Sequence, residues 1–366
     1  MKTFALLSLV FSILFLPSTK VAYQLVLPEN AKIQYSGRFD FSNPQQPKFA
    51  WSGSQITFAF EGTFCNLLIK HTALEKDKNG NYTNNYFNVF IDGKLAKVLQ
   101  VENDKEEYEL AKNLTLGKHI VQLFKRTEGR FSISIFLGFQ IDEKGKVLDA
   151  PEKPKRKLEF IGDSITCGYG NEGENQHCQF SPETENAYLS YASLTAHNLG
   201  AEAHLVCFSG KGVIQNYNRD SKKTMTELYD LTYPQDSLAL WNTKTWSPDA
   251  VLINLGTNDF AHEIPDSTRF VLTYNYLIDK VLTNHKQTSV FCLVGSILNG
   301  EKLIRIKNYL QQVVNYQQKK GNQKVYFFEM STQGKLGYGC NWHPNVAQNQ
   351  QNAQELTKFL KEKMRW

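Results

Sequence analysis

Ser164 lies in the run Gly162-Asp163-Ser164-Ile165-Thr166-Cys167-Gly168-Tyr169-Gly170, directly after an apolar stretch. A serine in a glycine-flanked turn at a strand end exposes its hydroxyl, and the amides that follow can face an anion. Alone, it reads more readily as a turn or N-cap serine. Three other groups occupy similar junctions. Ser209-Gly210-Lys211-Gly212 follows a second apolar run, where a glycine lets the main chain approach a ligand and present its N–H, or simply turns the chain. Leu255-Gly256-Thr257-Asn258-Asp259 places a side-chain amide after a third run, as a donor into the same cleft or as a helix cap. Cys340-Asn341-Trp342-His343-Pro344 precedes a C-terminal helical pattern. Among eight histidines, His343 alone has the chain order and loop context to serve as base for Ser164. Serine attack on an acyl carbon needs a nucleophile, a base for its proton and donors for the oxyanion, and each need has a candidate at a different junction.

The elements that must carry these groups are legible in the apolar runs. Leu158 to Ile161, His204 to Phe208, Ala250 to Leu255, Val290 to Val294 and Val325 to Phe328 read as buried strands. Amphipathic stretches at Ala187 to Leu199, Thr268 to Leu282, Leu303 to Lys319 and Val346 to Lys363 lie between or after them. This alternation predicts an α/β three-layer domain with a parallel sheet covered on both faces, whose sites form at the carboxyl ends of the strands.

The preceding region differs. From about Gln34 to Asp142 short alternating segments recur, at Gln55 to Phe60, Asn66 to Lys70, Tyr86 to Ile91, Ile120 to Phe124 and Phe131 to Phe139. Period-two patterning with polar breaks predicts an N-terminal all-β sandwich. Asp92-Gly93 predicts a type I′ hairpin turn. The expected organisation is a leader over residues 1–22, a sandwich over 23–150 and a hydrolase-type domain over 151–366. Pro151 and Pro154 mark a solvated linker between the domains.

The chain has 366 residues, 41% hydrophobic and 21% charged, which excludes disordered, collagenous and polytopic membrane classes. Its 41 basic residues exceed the 36 acidic ones only slightly, and the single knot at Lys153, Lys155, Arg156 and Lys157 is too small for a nucleic-acid footprint. Met1-Lys2-Thr3, the apolar run Phe4 to Leu16 and Pro17-Ser18 form a secretory leader pattern, too short for a membrane span of about 20 residues. Secretion into an extracellular or periplasmic space is the expectation, without stable membrane insertion. Six cysteines show no Cys-x-x-Cys or zinc spacing; Cys167 with Cys178 is the bridge expected first, with Cys207 and Cys292 as buried thiols. Asn81-Tyr82-Thr83 and Asn113-Leu114-Thr115 are glycosylation acceptors only in a eukaryotic secretory route.

The ordered set Gly162-Asp163-Ser164, Gly210, Gly256-Thr257-Asn258-Asp259 and His343 resembles the SGNH hydrolase superfamily. The longer strings Phe160 to Asn171, Thr184-Glu185-Asn186, Ser209 to Val213, Ile253 to Phe260 and Trp342-His343-Pro344 are similar to carbohydrate esterase family 2, as are Lys125-Arg126-Thr127-Glu128 and Gly138-Phe139. The resemblance spans nearly the whole mature chain. It implies a jelly-roll-like sandwich before the hydrolase domain, and a secreted acetyl esterase acting on acetylated polysaccharides such as xylan and glucomannan. It implies no metal and no organic cofactor. By position, Ser164 is the implied nucleophile and His343 the general base, with the Ser164 N–H, the Gly210 N–H and the Asn258 side chain as oxyanion hole. Trp342 either stacks on a sugar ring or packs against its loop.

Two departures from the pattern bear on the mechanism. The superfamily has an aspartate three residues before the histidine, where this chain has Cys340; many family members have one two residues before, where this chain has Asn341. The carboxylate that orients the imidazole is missing from its usual place. A Ser-His dyad held by a backbone carbonyl is the expectation. The competing readings are an envelope or host-glycan O-acetyl esterase or acetyl transferase on the same fold, a glycan-binding protein with a weakened hydrolase domain, and a Ser-His peptidase. Oligomeric state is not legible in the sequence.

Overall fold

The computed structural model describes residues 22–72, 80 and 83–366. The expected leader, save its last residue, and Asn81-Tyr82 of one glycosylation triplet lie outside the described residues.

Residues 22–148 build two antiparallel sheets. One runs Tyr23–Val26, Ser134–Asp142, Cys65–His71, Glu107–Ala111, with Lys48–Phe49 also on Ser134–Asp142. The other runs Lys146–Leu148, Gln55–Gly62, Gly117–Lys125, Asn85–Ile91, Lys94–Val101, with Gln34–Ser36 on Gln55–Gly62. Alternation along each strand sends Phe58, Phe60, Leu67, Ile69, Phe87, Phe136 and Phe139 into a shared core, all fully buried. Burying each such phenylalanine contributes roughly 1.5–3 kcal/mol. Asp92 and Gly93 both take positive φ, 52° and 77°, and join paired residues Ile91 and Lys94, as a type I′ turn requires.

The strand expected from Phe131 begins instead at Ser134. The segment before it leaves the sandwich to meet the second region, where Phe131 stacks on Phe180 with centroids 6.3 Å apart.

From Arg156 the sheet is parallel, in the order Ala201–Cys207, Arg156–Gly162, Ala250–Asn254, Ser289–Val294, Val325–Glu329. Helices Tyr191–Leu199 and Val346–Met364 pack together on one face, Ser267–Asn284 and Gly300–Lys319 on the other. The expected helix Ala187 to Leu199 is divided. A 3-10 turn at Ala187–Leu189 is followed by Ser190 in extended conformation, which caps the helix proper. The sheet order reverses beside the strand Arg156–Gly162, and there a crevice opens at the carboxyl ends.

The two regions share buried contacts. Arg38 of the sandwich is 1% exposed and pairs with Glu159 of the first parallel strand at 3.0 Å. Trp51 of the sandwich is buried in the hydrophobic cluster that includes Ile161, Val206 and Leu231. The basic knot is partly drawn into this packing. Lys153 pairs with Glu202 at 3.0 Å, and Arg156 donates to the Leu199 carbonyl at 2.7 Å and lies over the Trp366 ring.

Candidate active site

Asp163 ends the first parallel strand and caps the one-turn helix Ser164–Cys167, its Oδ1 accepting the Ile165 N–H at 3.0 Å. Ser164 therefore starts the helix, and its own N–H has no acceptor among the described residues. Its Oγ faces His343 Nε2 at 2.9 Å across 179 residues of chain. The serine is 6% exposed.

His343 is held from its other side by the Asn341 main-chain carbonyl, 3.0 Å from Nδ1. With an oxygen acceptor there, Nδ1 carries the proton and Nε2 is left as the acceptor facing Ser164. Burial pulls the imidazole down to about 4, with the carbonyls of Asn341 and Cys340 opposing. The loop reaches this geometry by placing two consecutive non-glycine residues in the left-handed region, Asn341 at φ 51° and Trp342 at φ 60°. Such residues cost on the order of 1 kcal/mol each and persist only where the surroundings hold them. Here the Cys178–Cys340 disulfide, the Asn341 N–H on Cys178 O at 3.1 Å and the Cys340 N–H on Gly170 O at 2.9 Å do so. The Asn341 side chain points elsewhere, donating to the Tyr169 hydroxyl at 3.1 Å. The Tyr169 ring lies against the imidazole, centroids 4.3 Å apart, and stacks on Phe180 behind it at 3.9 Å.

The disulfide corrects the expected Cys167–Cys178 pairing. Cys167 ends the short helix with its side chain turned into the core, and it remains a buried thiol with Cys65, Cys207 and Cys292. Proximity in sequence does not bring Cys167 to Cys178, because Gly168 takes a left-handed conformation at the helix end and turns the chain away.

Gly210 follows the strand Ala201–Cys207 with φ 78°, a conformation that favours glycine, although a Cβ there would find its nearest neighbour at 3.8 Å. Its carbonyl accepts the Tyr217 N–H at 2.8 Å, while its N–H has no acceptor among the described residues. Asn258 caps no helix. Its Nδ2 donates to Lys211 O at 2.9 Å and reaches Asp163 Oδ2 at 3.4 Å, tying together the ends of three parallel strands. The longer contact leaves one amide hydrogen only weakly engaged. Asp259, to which sequence reasoning assigned no role, gathers the N–H groups of Val213, Ile214 and Gln215 at 2.7 to 3.1 Å and so shapes the loop that carries Gly210. Gly212 is required there, since a Cβ would meet Gln215 O at 2.0 Å. Burial pushes the Asp163 carboxyl up to about 7 and that of Asp259 to about 6, the N–H groups they accept opposing.

The five residues singled out from sequence thus converge as follows. Ser164 and His343 are in hydrogen-bond contact, and Gly210 and Asn258 flank the serine turn. Trp342 adjoins the histidine, is 52% exposed and makes edge contacts with Tyr338 and His177. The indole thus touches its own loop at one edge and leaves about half of its surface open. The Tyr169–Phe180 brace carried no sequence signal, because it is a ring stack formed in space, and of the expected backbone carbonyl the sequence did not say that Asn341 supplies it.

This geometry has known counterparts. Residues 35–151 match the family described as carbohydrate esterase 2 N-terminal, and residues 158–356 match GDSL-like lipase/acylhydrolase. The chain is 40% identical over 339 residues to the cellulase/esterase CelE of Acetivibrio thermocellus, covering 92% of this chain. It spans only 40% of that protein's length. It is 30% identical over 335 residues to an acetylxylan esterase/glucomannan deacetylase of Cellvibrio japonicus, covering 88% of this chain and 87% of that one. The structure of a family two carbohydrate esterase from Clostridium thermocellum in complex with cellohexaose superposes with a TM-score of 0.86 at 40% identity, over 91% of this chain and 99% of that one.

Proposed function

Because this chain belongs to carbohydrate esterase family 2, with a GDSL-like hydrolase region, we propose that it is a secreted carbohydrate O-acetyl esterase working through a Ser164–His343 dyad and an acyl-enzyme. The observation that carries the reading is the contact at 2.9 Å between Ser164 Oγ and His343 Nε2, beside two N–H groups left without acceptors. The carbohydrate assignment leans on relatives named cellulase/esterase and acetylxylan esterase/glucomannan deacetylase.

In the first half-reaction Ser164 Oγ bonds to the acetyl carbon as His343 Nε2 takes its proton. Charge gathers on the former carbonyl oxygen, where the N–H groups of Ser164 and Gly210 and the Asn258 amide donate. Collapse breaks the bond to the sugar oxygen, which leaves with the proton from His343. The acetyl group is then esterified to Ser164 Oγ. Water attacks this ester with His343 again as base, and acetate departs as the proton returns to Ser164 Oγ. The Asn341 carbonyl keeps Nδ1 protonated and supports the charged ring, with no carboxylate involved. The exposed face of Trp342 offers a sugar ring a stacking surface.

Secretion is supported by the leader pattern in the sequence and by a disulfide beside the catalytic loop, a bond that persists in oxidising compartments. Plant polysaccharide is the substrate class this reading favours, on the named activity of the Cellvibrio japonicus relative. An intact Ser-His pair argues against a protein that only binds glycan.

The acyl specificity tests the reading. Esters of acetate, butyrate and octanoate on one leaving group should show a steep fall in kcat/KM with chain length, because a site that fits an acetyl group rejects a longer acyl chain by clash. Preference for octanoate would indicate a lipase-type enzyme instead.

A further inference from the structure

The loop Arg126 to Phe131 leaves the sandwich and enters the hydrolase region. Arg126 donates to the carbonyls of Glu185 at 3.3 Å and Glu183 at 3.0 Å, and pairs with Glu172. Ala187 returns a bond to Arg126 O at 3.0 Å. Two residues on, Glu128 is fully buried. Its Oε2 accepts the Ser209 N–H at 2.7 Å, a short bond for a main-chain donor. Ser209 directly precedes Gly210, whose N–H has no acceptor among the described residues.

The residue whose carboxyl grips this peptide is fixed through its main chain. The Glu128 N–H donates to Glu185 Oε2 at 2.9 Å, and its carbonyl accepts from Lys125 Nζ at 3.1 Å. Lys125 is fully buried and anchored on Asn85 Oδ1 and Thr127 O at 2.8 and 2.7 Å. Glu128, Glu185 and Cys167 approach within 4.8 Å of one another, Arg130 Nη1 lies 3.9 Å from Glu128 Oε1, and burial draws the neighbouring Lys125 amine down to about 7. Such a cluster costs desolvation energy without adding an apolar contact, so it is hard to explain as packing alone. It reaches the reaction at two places, the peptide beside Gly210 and Cys167, whose Sγ lies 4.0 Å from Glu128 Oε2 at the end of the short helix that Ser164 starts.

We propose that Glu128, supplied by the sandwich, is a positioning residue for the oxyanion loop, holding the Ser209 peptide so that the Gly210 N–H stays aimed at the acetyl oxygen. The inference rests on the esterase reading. A donor whose aim matters only once charge develops should affect kcat and leave KM nearly untouched. Since the required feature is an acceptor at that reach, an amide oxygen can replace the carboxylate, whereas a side chain one methylene shorter cannot.

The test compares Glu128→Gln, Glu128→Asp and Glu128→Ala in the full chain, with 4-nitrophenyl acetate as substrate and circular dichroism as the check on folding. Glu128→Gln should keep kcat within about threefold. Glu128→Asp and Glu128→Ala should lower kcat about ten- to a hundredfold, short of or reaching the loss of a whole oxyanion donor, with KM within about twofold. Glu128→Asp retains charge and most of the volume, so it reports if Glu128→Ala does not fold. Unchanged kcat in folded Glu128→Asp, or a loss confined to KM, would overturn the proposal. So would a Glu128→Gln enzyme as impaired as Glu128→Asp. Wild type that turns over no acetyl ester would sink the esterase reading instead, which separates the two failures.

Discussion

The Nδ1 of His343 faces the main-chain carbonyl of Asn341 at 3.0 Å, where related catalytic centres place an aspartate. A carbonyl dipole orients the ring and selects its tautomer as a carboxylate does. It offers less to the charged imidazolium. The side chain of Asn341 is not the orienting group, so Asn341→Ala should retain acetyl-ester turnover within about tenfold, while His343→Ala loses it by about three orders of magnitude or more. Loss on the His343→Ala scale in a folded Asn341→Ala protein would mean that the amide, not the carbonyl, holds the ring.

The missing carboxylate also shows in pH dependence. The base must be neutral to accept the Ser164 proton, and it is neutral only above its pKa. With that value drawn by burial to about 4, the acid limb of kcat/KM should fall below pH 6.5, the ordinary histidine value, and the enzyme should stay active in mild acid. Asp163, raised to about 7, is the neighbouring carboxyl that could supply a second limb. The same profile in Asp163→Asn separates the two, since a limb that remains belongs to the histidine. An acid limb centred at or above pH 7 in both proteins would contradict the assignment.

The Cys178–Cys340 bridge closes 162 residues of chain and ends three residues before the base. Cys340→Ala should destabilise the protein by about 2–5 kcal/mol, read by denaturant unfolding. It should also lower kcat at temperatures where the protein is still folded, because the left-handed pair Asn341 and Trp342 loses its anchor. Full kcat alongside reduced stability would show that the other hydrogen bonds of the loop suffice.

Gly210→Ala isolates backbone conformation from space. A Cβ would find no close neighbour, but φ 78° disfavours alanine by roughly 1 kcal/mol or more, so the N–H should be re-aimed. Turnover should drop at least about tenfold with little change in KM. Asn258→Ala should cost about a hundredfold or more in kcat, as loss of an oxyanion donor does. Wild-type rates in either would remove that group from the oxyanion hole.

The parallel strands were readable because each is a mainly apolar run ending in a glycine or a polar cluster, and Ser164, Gly210 and Asn258 follow three of those run ends. The hairpin at Asp92-Gly93 was readable because its turn needs two positive φ values. What escaped was whatever depends on contacts distant in sequence. Cys178 meets Cys340 only because the loop after Gly168 folds back over the histidine loop, so neighbouring Cys167 was the wrong partner. The strand at Phe131 was set three residues early because its alternation continues through a loop that tertiary contacts pull away. Glu128 sits in the string Lys125-Arg126-Thr127-Glu128, which entered only through the resemblance, and its burial follows from an approach of two regions that no local pattern encodes.

The central claim is a serine esterase acting on acetylated saccharide, and acetate release tests it most directly. Acetylated xylan, acetylated glucomannan and O-acetylated peptidoglycan would each be offered to the wild type and to Ser164→Ala, with free acetate measured over time. The expected result is release from a plant glycan by the wild type and none above background by the variant. Release that survives in Ser164→Ala, or none from any of the three by a folded wild type, would contradict the account.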